Sequence, residues 1–192
     1  GIRRSERLGL CWSEVDLDSD EPRIHIRRQL ARYNPGVYAK RGWYLNDKLK
    51  SKHSKRTIPL VEPFLSALKE HRIAQDELRA SGTFRPAKEF RDMVFLHPDG
   101  SPWTLNRDNT EWKKFLEDHK LPVYRGHLNR NLCATLLFDE NVPVKVVKVI
   151  LGHHSSVMSW YYDLGDQKEA ENHLSNFGLK LIKISAKGQA SK

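Results

Sequence analysis

The hydrophobic positions along the chain change their period near residue 60. In "RIHIRRQL", Ile24 and Ile26 alternate with polar neighbours, the spacing of a strand with one buried face. "VYAK" (37–40) and "RTIPL" (56–60) read as further short strands, and "NPG" at Asn34–Gly36 is a turn signal, so this part predicts a small antiparallel sheet. Ahead of it, "RSERLGLCWSEVDLD" predicts a short helix with Leu8 and Trp12 four apart, running out into Asp-rich turn residues. Beyond residue 60 the spacing becomes helical. One helix is expected from about Glu62 to Ala80, with Pro63 in its first turn. "SGTFRP" and "HPDGSP" are loop and turn, with the short apolar stretch "MVFL" between them. "NRDNTEWKKFLEDHK" carries Trp112, Phe115 and Leu116 at helical spacing. "GHLNRNLCATLLFDE" predicts a helix from His127 to about Asp139, and "NVPVKVVKVILG" another between Pro143 and Gly152. In the last, Val147, Ile150 and Leu151 share one face, and Lys145 and Lys148 another.

The expected fold class is therefore α+β, mainly α-helical, with a small antiparallel β-sheet near the N-terminus. A length of 192 residues suits one well-cored domain, drawn here as 1–184. The polar tail "SAKGQASK" (185–192) is expected to be disordered. No apolar run approaches the roughly 20 residues of a spanning helix, so no membrane partner is expected. Cys11 and Cys133 are the only cysteines, which excludes a disulfide framework or a cysteine-rich zinc module and points to a reducing, cytoplasmic setting. The chain opens on Gly1 rather than methionine, inside what reads as a helix, and is taken as a piece of a longer protein. A balance of 33 Lys+Arg against 24 Asp+Glu gives a formal charge of +9. Such a surface attracts polyanions, nucleic acid first among them.

Charge alone names no reaction; the segment "LGHHSSVMSWYYDLG" (151–165) narrows the choice. It sets His153 and His154 beside Tyr161 and Tyr162. His127 and Arg130, three apart, point the same way on a helix. If the helices fold back on each other, these groups converge with Tyr162, nine positions after His153. A zinc site from His127, His153 and His154 lacks a well-spaced fourth ligand. A phenol, by contrast, becomes a nucleophile only with a base or cations nearby, because forming tyrosinate at neutral pH costs on the order of 4 kcal/mol. Phosphoryl transfer fits such a set, since arginine forks stabilise charge spread over phosphate oxygens. A second arginine is available at Arg3, and "LKSKHSKRTIPL" offers a lysine as proton donor.

Four segments in series carry a resemblance. "GIRRSERLGLCWSEVDLD", "KLKSKHSKRTIPL", "GHLNRNLCATLL" and "LGHHSSVMSWYY" resemble, in order and approximate spacing, the boxes of the phage integrase or tyrosine recombinase family. The resemblance runs from Gly1 to about Tyr162 and implies that family's catalytic-domain fold. It assigns the first arginine to Arg3, with Glu6 as its supporting acid, and the hairpin lysine to Lys50, with Lys52 a close competitor. The H-x-x-R pair falls on His127 and Arg130, the L-G-H histidine on His153 and the nucleophile on Tyr162. Lys52, Lys55, Arg125 and His154 are candidate DNA contacts, and Tyr161 is expected to pack or to contact DNA.

By the same resemblance, the tyrosine attacks a DNA phosphodiester, forms a 3′-phosphotyrosyl bond and frees a 5′-hydroxyl. Arg3 and Arg130 would clamp the non-bridging oxygens, His153 would add a hydrogen bond, His127 would manage the tyrosine proton, and Lys50 would protonate the leaving oxygen. No cofactor or metal is implied, because the covalent bond stores the energy for religation. The implied partners are double-stranded DNA at attachment sites, three further copies of the chain in a homotetramer, and accessory DNA-bending proteins, in a bacterial nucleoid. Asn129 and Asn131 depart from the pattern, standing where the family usually has leucine and histidine. The family's helices ahead of the first arginine and its core-binding domain are expected upstream of Gly1, and the chain alone is expected to be weakly active or inactive. A reading from another class remains: residues 126–152 also resemble helix, turn, helix, as in a non-catalytic DNA-binding regulator.

Overall fold

Val15, Ile24 and Ile58 stand opposite one another across a three-stranded antiparallel sheet, and all three are buried. In the computed structural model, which describes residues 1–34, 42–49 and 54–152, the strands are β1 (Val15–Asp16), β2 (Arg23–Ile26) and β5 (Arg56–Pro59), in the order β1-β2-β5. Alternation at Ile24 and Ile26 thus turns those side chains inward as expected, and "RTIPL" supplies the edge partner.

Between β2 and β5 the chain leaves this sheet and pairs with itself. β3 (Gln29–Arg32) and β4 (Trp43–Asn46) form a separate antiparallel pair with Leu30 opposite Leu45. Just past β3, the ring of Tyr33 stacks on that of Tyr44, centroids 4.3 Å apart. The strand expected at "VYAK" and most of the "NPG" turn lie outside the described residues.

The first helix is shorter than its sequence suggests. α1 covers Arg4–Leu8 and stops at Gly9. A Cβ on Gly9 would lie 2.4 Å from the backbone nitrogen of Leu30, so α1 ends where it meets β3 directly. Trp12 therefore does not continue the helix. It opens a 3₁₀ turn, Trp12–Glu14, after Cys11 bridges to Met93.

The helices α2 (Phe64–Ala80), α3 (Leu105–Asp118), α4 (Leu128–Asp139) and α5 (Val144–Leu151) follow the expected order. Pro63 and Pro143 precede α2 and α5, where a missing N–H removes nothing. Gln75 is the one buried residue of α2, and its amide accepts from Trp12 Nε1 at 2.7 Å while donating to the Val94 carbonyl at 3.0 Å. α3 is tied back to α1 by Arg7 on Asp108 and Arg4 on Asn109.

Two apolar clusters hold these pieces. One joins the sheet to the C-terminal helices through Ile24, Ile58, Leu137, Val146 and Ile150. The other packs Leu8 of α1 under the β3–β4 pair with Leu30, Phe90 and Met93. Each fully buried side chain of this kind is worth roughly 1.5–3 kcal/mol. Their joint effect is to bring the start of the chain against the end of α5. Among the described residues no helix is long and apolar enough to cross a membrane.

Candidate active site

A helix leaves its last carbonyls without intrahelical partners, and the dipole makes that end negative. At the end of α5 three successive carbonyls are each met by a different arginine. Arg56 Nε donates to the Ile150 carbonyl at 3.1 Å, Arg130 Nη2 to that of Leu151, and Arg3 Nη2 to that of Gly152 at 2.7 Å. Gly152 permits this by turning the chain at φ 64°, the left-handed conformation glycine adopts without strain.

Each arginine arrives from a different element. Arg3 is the N-cap of α1, and its own backbone N–H donates to Glu6 Oε2 at 3.1 Å. Arg56 opens β5, and Arg130 lies in the first turn of α4, three residues from His127. Glu6, 2% exposed, binds two of them: Oε1 accepts from Arg3 at 2.7 Å and Oε2 from Arg56 at 2.9 Å. Burial pushes the Glu6 carboxyl up, but the hydrogen bonds and charges of Arg56 and then Arg3 outweigh it and hold the group below its ordinary range. Arg130 feels burial first and then the like charges of Arg3 and Arg56, which together bring its guanidinium down to about 10. It remains charged at neutral pH. Three guanidiniums thus gather around one carboxylate, a local excess of positive charge.

Such a cluster is built to take an anion. Each guanidinium carries five N–H donors in a plane, and main-chain carbonyls fix the planes without using every donor. Arg3 keeps 29% of its side chain exposed, and Arg130 is partly exposed, so both are open to a ligand from solvent.

Of the residues singled out in the sequence, Arg3, Glu6 and Arg130 are brought together here. His127 stands exposed as the N-cap residue of α4, on the same turn as Arg130. Its loop is held by Trp112 Nε1 donating to the Tyr124 carbonyl at 3.0 Å and by the Tyr124 hydroxyl donating to Asn129 Oδ1 at 3.0 Å. Lys55 and Arg125 are exposed. Lys50, Lys52, His153, His154, Tyr161 and Tyr162 lie outside the described residues, as does the tail from 185.

Arg56 is a residue that sequence reasoning passed over, inside the basic stretch "KSKHSKR" from which only lysines were singled out. A signal was present. Strand alternation puts Arg56 in phase with Ile58 and Leu60, both buried, and its side chain is only 5% exposed.

Comparison with known proteins follows the same outline. The model of the phage integrase family matches residues 1–168. A "tyrosine recombinase XerC-like" protein of Caldanaerobacter subterraneus subsp. tengcongensis is 30% identical over 155 residues, covering 80% of this chain and 39% of the relative. An "integrase" of Saccharopolyspora erythraea is 30% identical over 117 residues, 59% of this chain and 26% of the relative. The chain therefore spans well under half the length of these curated relatives. Among solved structures, the Tn1549 transposon integrase in complex with circular intermediate DNA superposes with a TM-score of 0.63 at 23% identity, covering 88% of this chain and 54% of that one. The XerH recombinase bound to difH substrate gives 0.53 at 19% identity, over 80% and 36%. These likenesses establish the catalytic-domain fold that the sequence resemblance implied. With the family's model matched along most of its length, the chain belongs to the phage integrase family.

Proposed function

We propose that this chain is the catalytic domain of a site-specific DNA recombinase that breaks and rejoins DNA through a 3′-phosphotyrosyl intermediate. The observation that carries the reading is the meeting of Arg3, Arg56 and Arg130 around Glu6 at the end of α5. Arg3 and Arg130 take the two non-bridging oxygens of the scissile phosphate, whose charge grows as the attacking oxygen approaches. Tyr162 Oη forms the bond to phosphorus, and the bond from phosphorus to the 5′-oxygen breaks. His127 accepts the phenol proton, His153 donates a further hydrogen bond to the phosphate, and Lys50 delivers a proton to the leaving 5′-oxygen. Religation runs the same steps backwards.

The relatives' names support the chemistry, and the DNA in the integrase and XerH complexes supports the substrate. By extension the partners are duplex attachment sites, three further copies of the chain and accessory DNA-bending proteins, in the cytoplasm at the nucleoid. Lys52, Lys55, Arg125 and His154 contact the DNA. A non-catalytic regulator would read bases with the N-terminal part of its second helix. That leaves no task for three guanidiniums gathered at the opposite end of α5.

A nicked attachment-site duplex, incubated with the full-length protein, is expected to give a protein–DNA adduct that survives denaturation and is absent in Tyr162→Phe. An adduct persisting in Tyr162→Phe and lost in Tyr161→Phe moves the nucleophile by one residue. No adduct from wild-type protein overturns the recombinase reading in favour of the regulator.

A further inference from the structure

Arg56 has no assigned part in the chemistry, yet it is the most connected arginine of the cluster. Its three nitrogens point to three elements: Nη2 to Glu6 Oε2 on α1 at 2.9 Å, Nε to the Ile150 carbonyl on α5 at 3.1 Å, and Nη1 to the Ser54 carbonyl ahead of β5 at 3.0 Å. With its side chain 5% exposed, it is closed off from a phosphate arriving from solvent. Its neighbours are the groups that would touch one. Glu6, gripped on one oxygen by Arg56, holds Arg3 with the other; the turn of α5 that Arg56 binds presents the next two carbonyls to Arg130 and Arg3.

We propose that Arg56 is a positioning residue of the phosphate clamp: by fastening Glu6 and the end of α5 to β5, it sets the planes of Arg3 and Arg130 without contacting DNA. The proposal rests on the recombinase reading above, in which those two arginines hold the scissile phosphate. A planar guanidinium suits the task because its N–H groups leave in fixed directions. A lysine would keep the charge and lose the directions. The backbone adds a constraint, since a Cβ on Gly152 would lie 2.8 Å from Nη1 of Arg56, so a side chain at this turn would press on the guanidinium.

The test separates a set clamp from an ordinary buried ion pair. Two oligonucleotides carry a single phosphorothioate at the scissile linkage, one in the Rp and one in the Sp configuration, and single-turnover adduct formation is timed with each. A clamp of fixed orientation treats the two non-bridging positions unequally, so wild-type protein should show a rate ratio well away from one. Arg56→Lys should bind the duplex as wild type does, lose roughly 100-fold in cleavage rate on the unmodified strand, and bring the ratio towards one. Gly152→Ala, which keeps every charge but crowds Nη1, should relax the ratio too, and it serves if Arg56→Lys fails to fold. A wild-type ratio of one, or a wild-type ratio retained in the variants while rates merely follow the folded fraction, overturns the positioning role alone. Absence of any adduct from wild-type protein overturns the recombinase reading and this proposal with it.

Discussion

The hydroxyl of Tyr124 donates to Oδ1 of Asn129 at 3.0 Å, across the loop that delivers His127 to the start of α4. Asn129 occupies a position where the family usually has leucine, and the bond gives a local reason for the amide. Asn129→Leu, although it restores the family's residue, is therefore expected to lower stability by about 1 kcal/mol, because the partly buried hydroxyl loses its acceptor. Tyr124→Phe should cost a similar amount, and the double variant little more than either alone. Urea denaturation of the four proteins measures the coupling; strictly additive losses would show that the two residues act independently.

Gly152 offers a second test, in the backbone. At φ 64° any side chain is disfavoured by about 1–2 kcal/mol, and here the added carbon also meets Arg56. Gly152→Ala should lower the thermal midpoint accordingly, whereas alanine at exposed Lys114 on α3 should leave it nearly unchanged. Equal midpoints for the two variants would contradict the strain.

The third concerns pH. Because the folded Glu6 carboxyl sits below its ordinary value of 4.5, the stability it contributes is complete above that value and lost as pH falls through the folded one. Glu6→Gln leaves Arg56 buried without its counter-charge, which at neutral pH should destabilise by roughly 3–5 kcal/mol. The gap between wild type and variant should close as pH falls below 4.5 and through the lowered folded value, where the wild-type carboxyl takes up its proton. A gap that stays constant from neutral to acid pH would mean that the charge of Glu6 is not what stabilises the fold.

Most of the fold's framework was legible because it repeats. Ile24 and Ile26 alternate, Val147, Ile150 and Leu151 recur at helical spacing, and prolines and glycines mark the ends of α2 and α5. What escaped was non-periodic. α1 stops at Gly9 because of an approach to Leu30 that no local pattern encodes, and β4 is defined by its partner β3 rather than by alternation of its own. In the site, Arg130 was singled out by its spacing from His127 and Arg3 as a second arginine, whereas Glu6 entered only through the family's boxes. Arg56 was missed because a basic run is ordinarily solvated; only its phase with Ile58 and Leu60 distinguishes it.

The bond from Arg3 to the Gly152 carbonyl spans 149 positions of chain. A ribosome that has delivered Arg3, Glu6 and Arg56 has still to make α4 and α5, and until it does the two arginines lack the Gly152 and Ile150 carbonyls that orient them. Prematurely terminated products thus inherit the positive charge without the anion cradle. They would attract polyanions without direction, lacking the bonds that orient the guanidiniums.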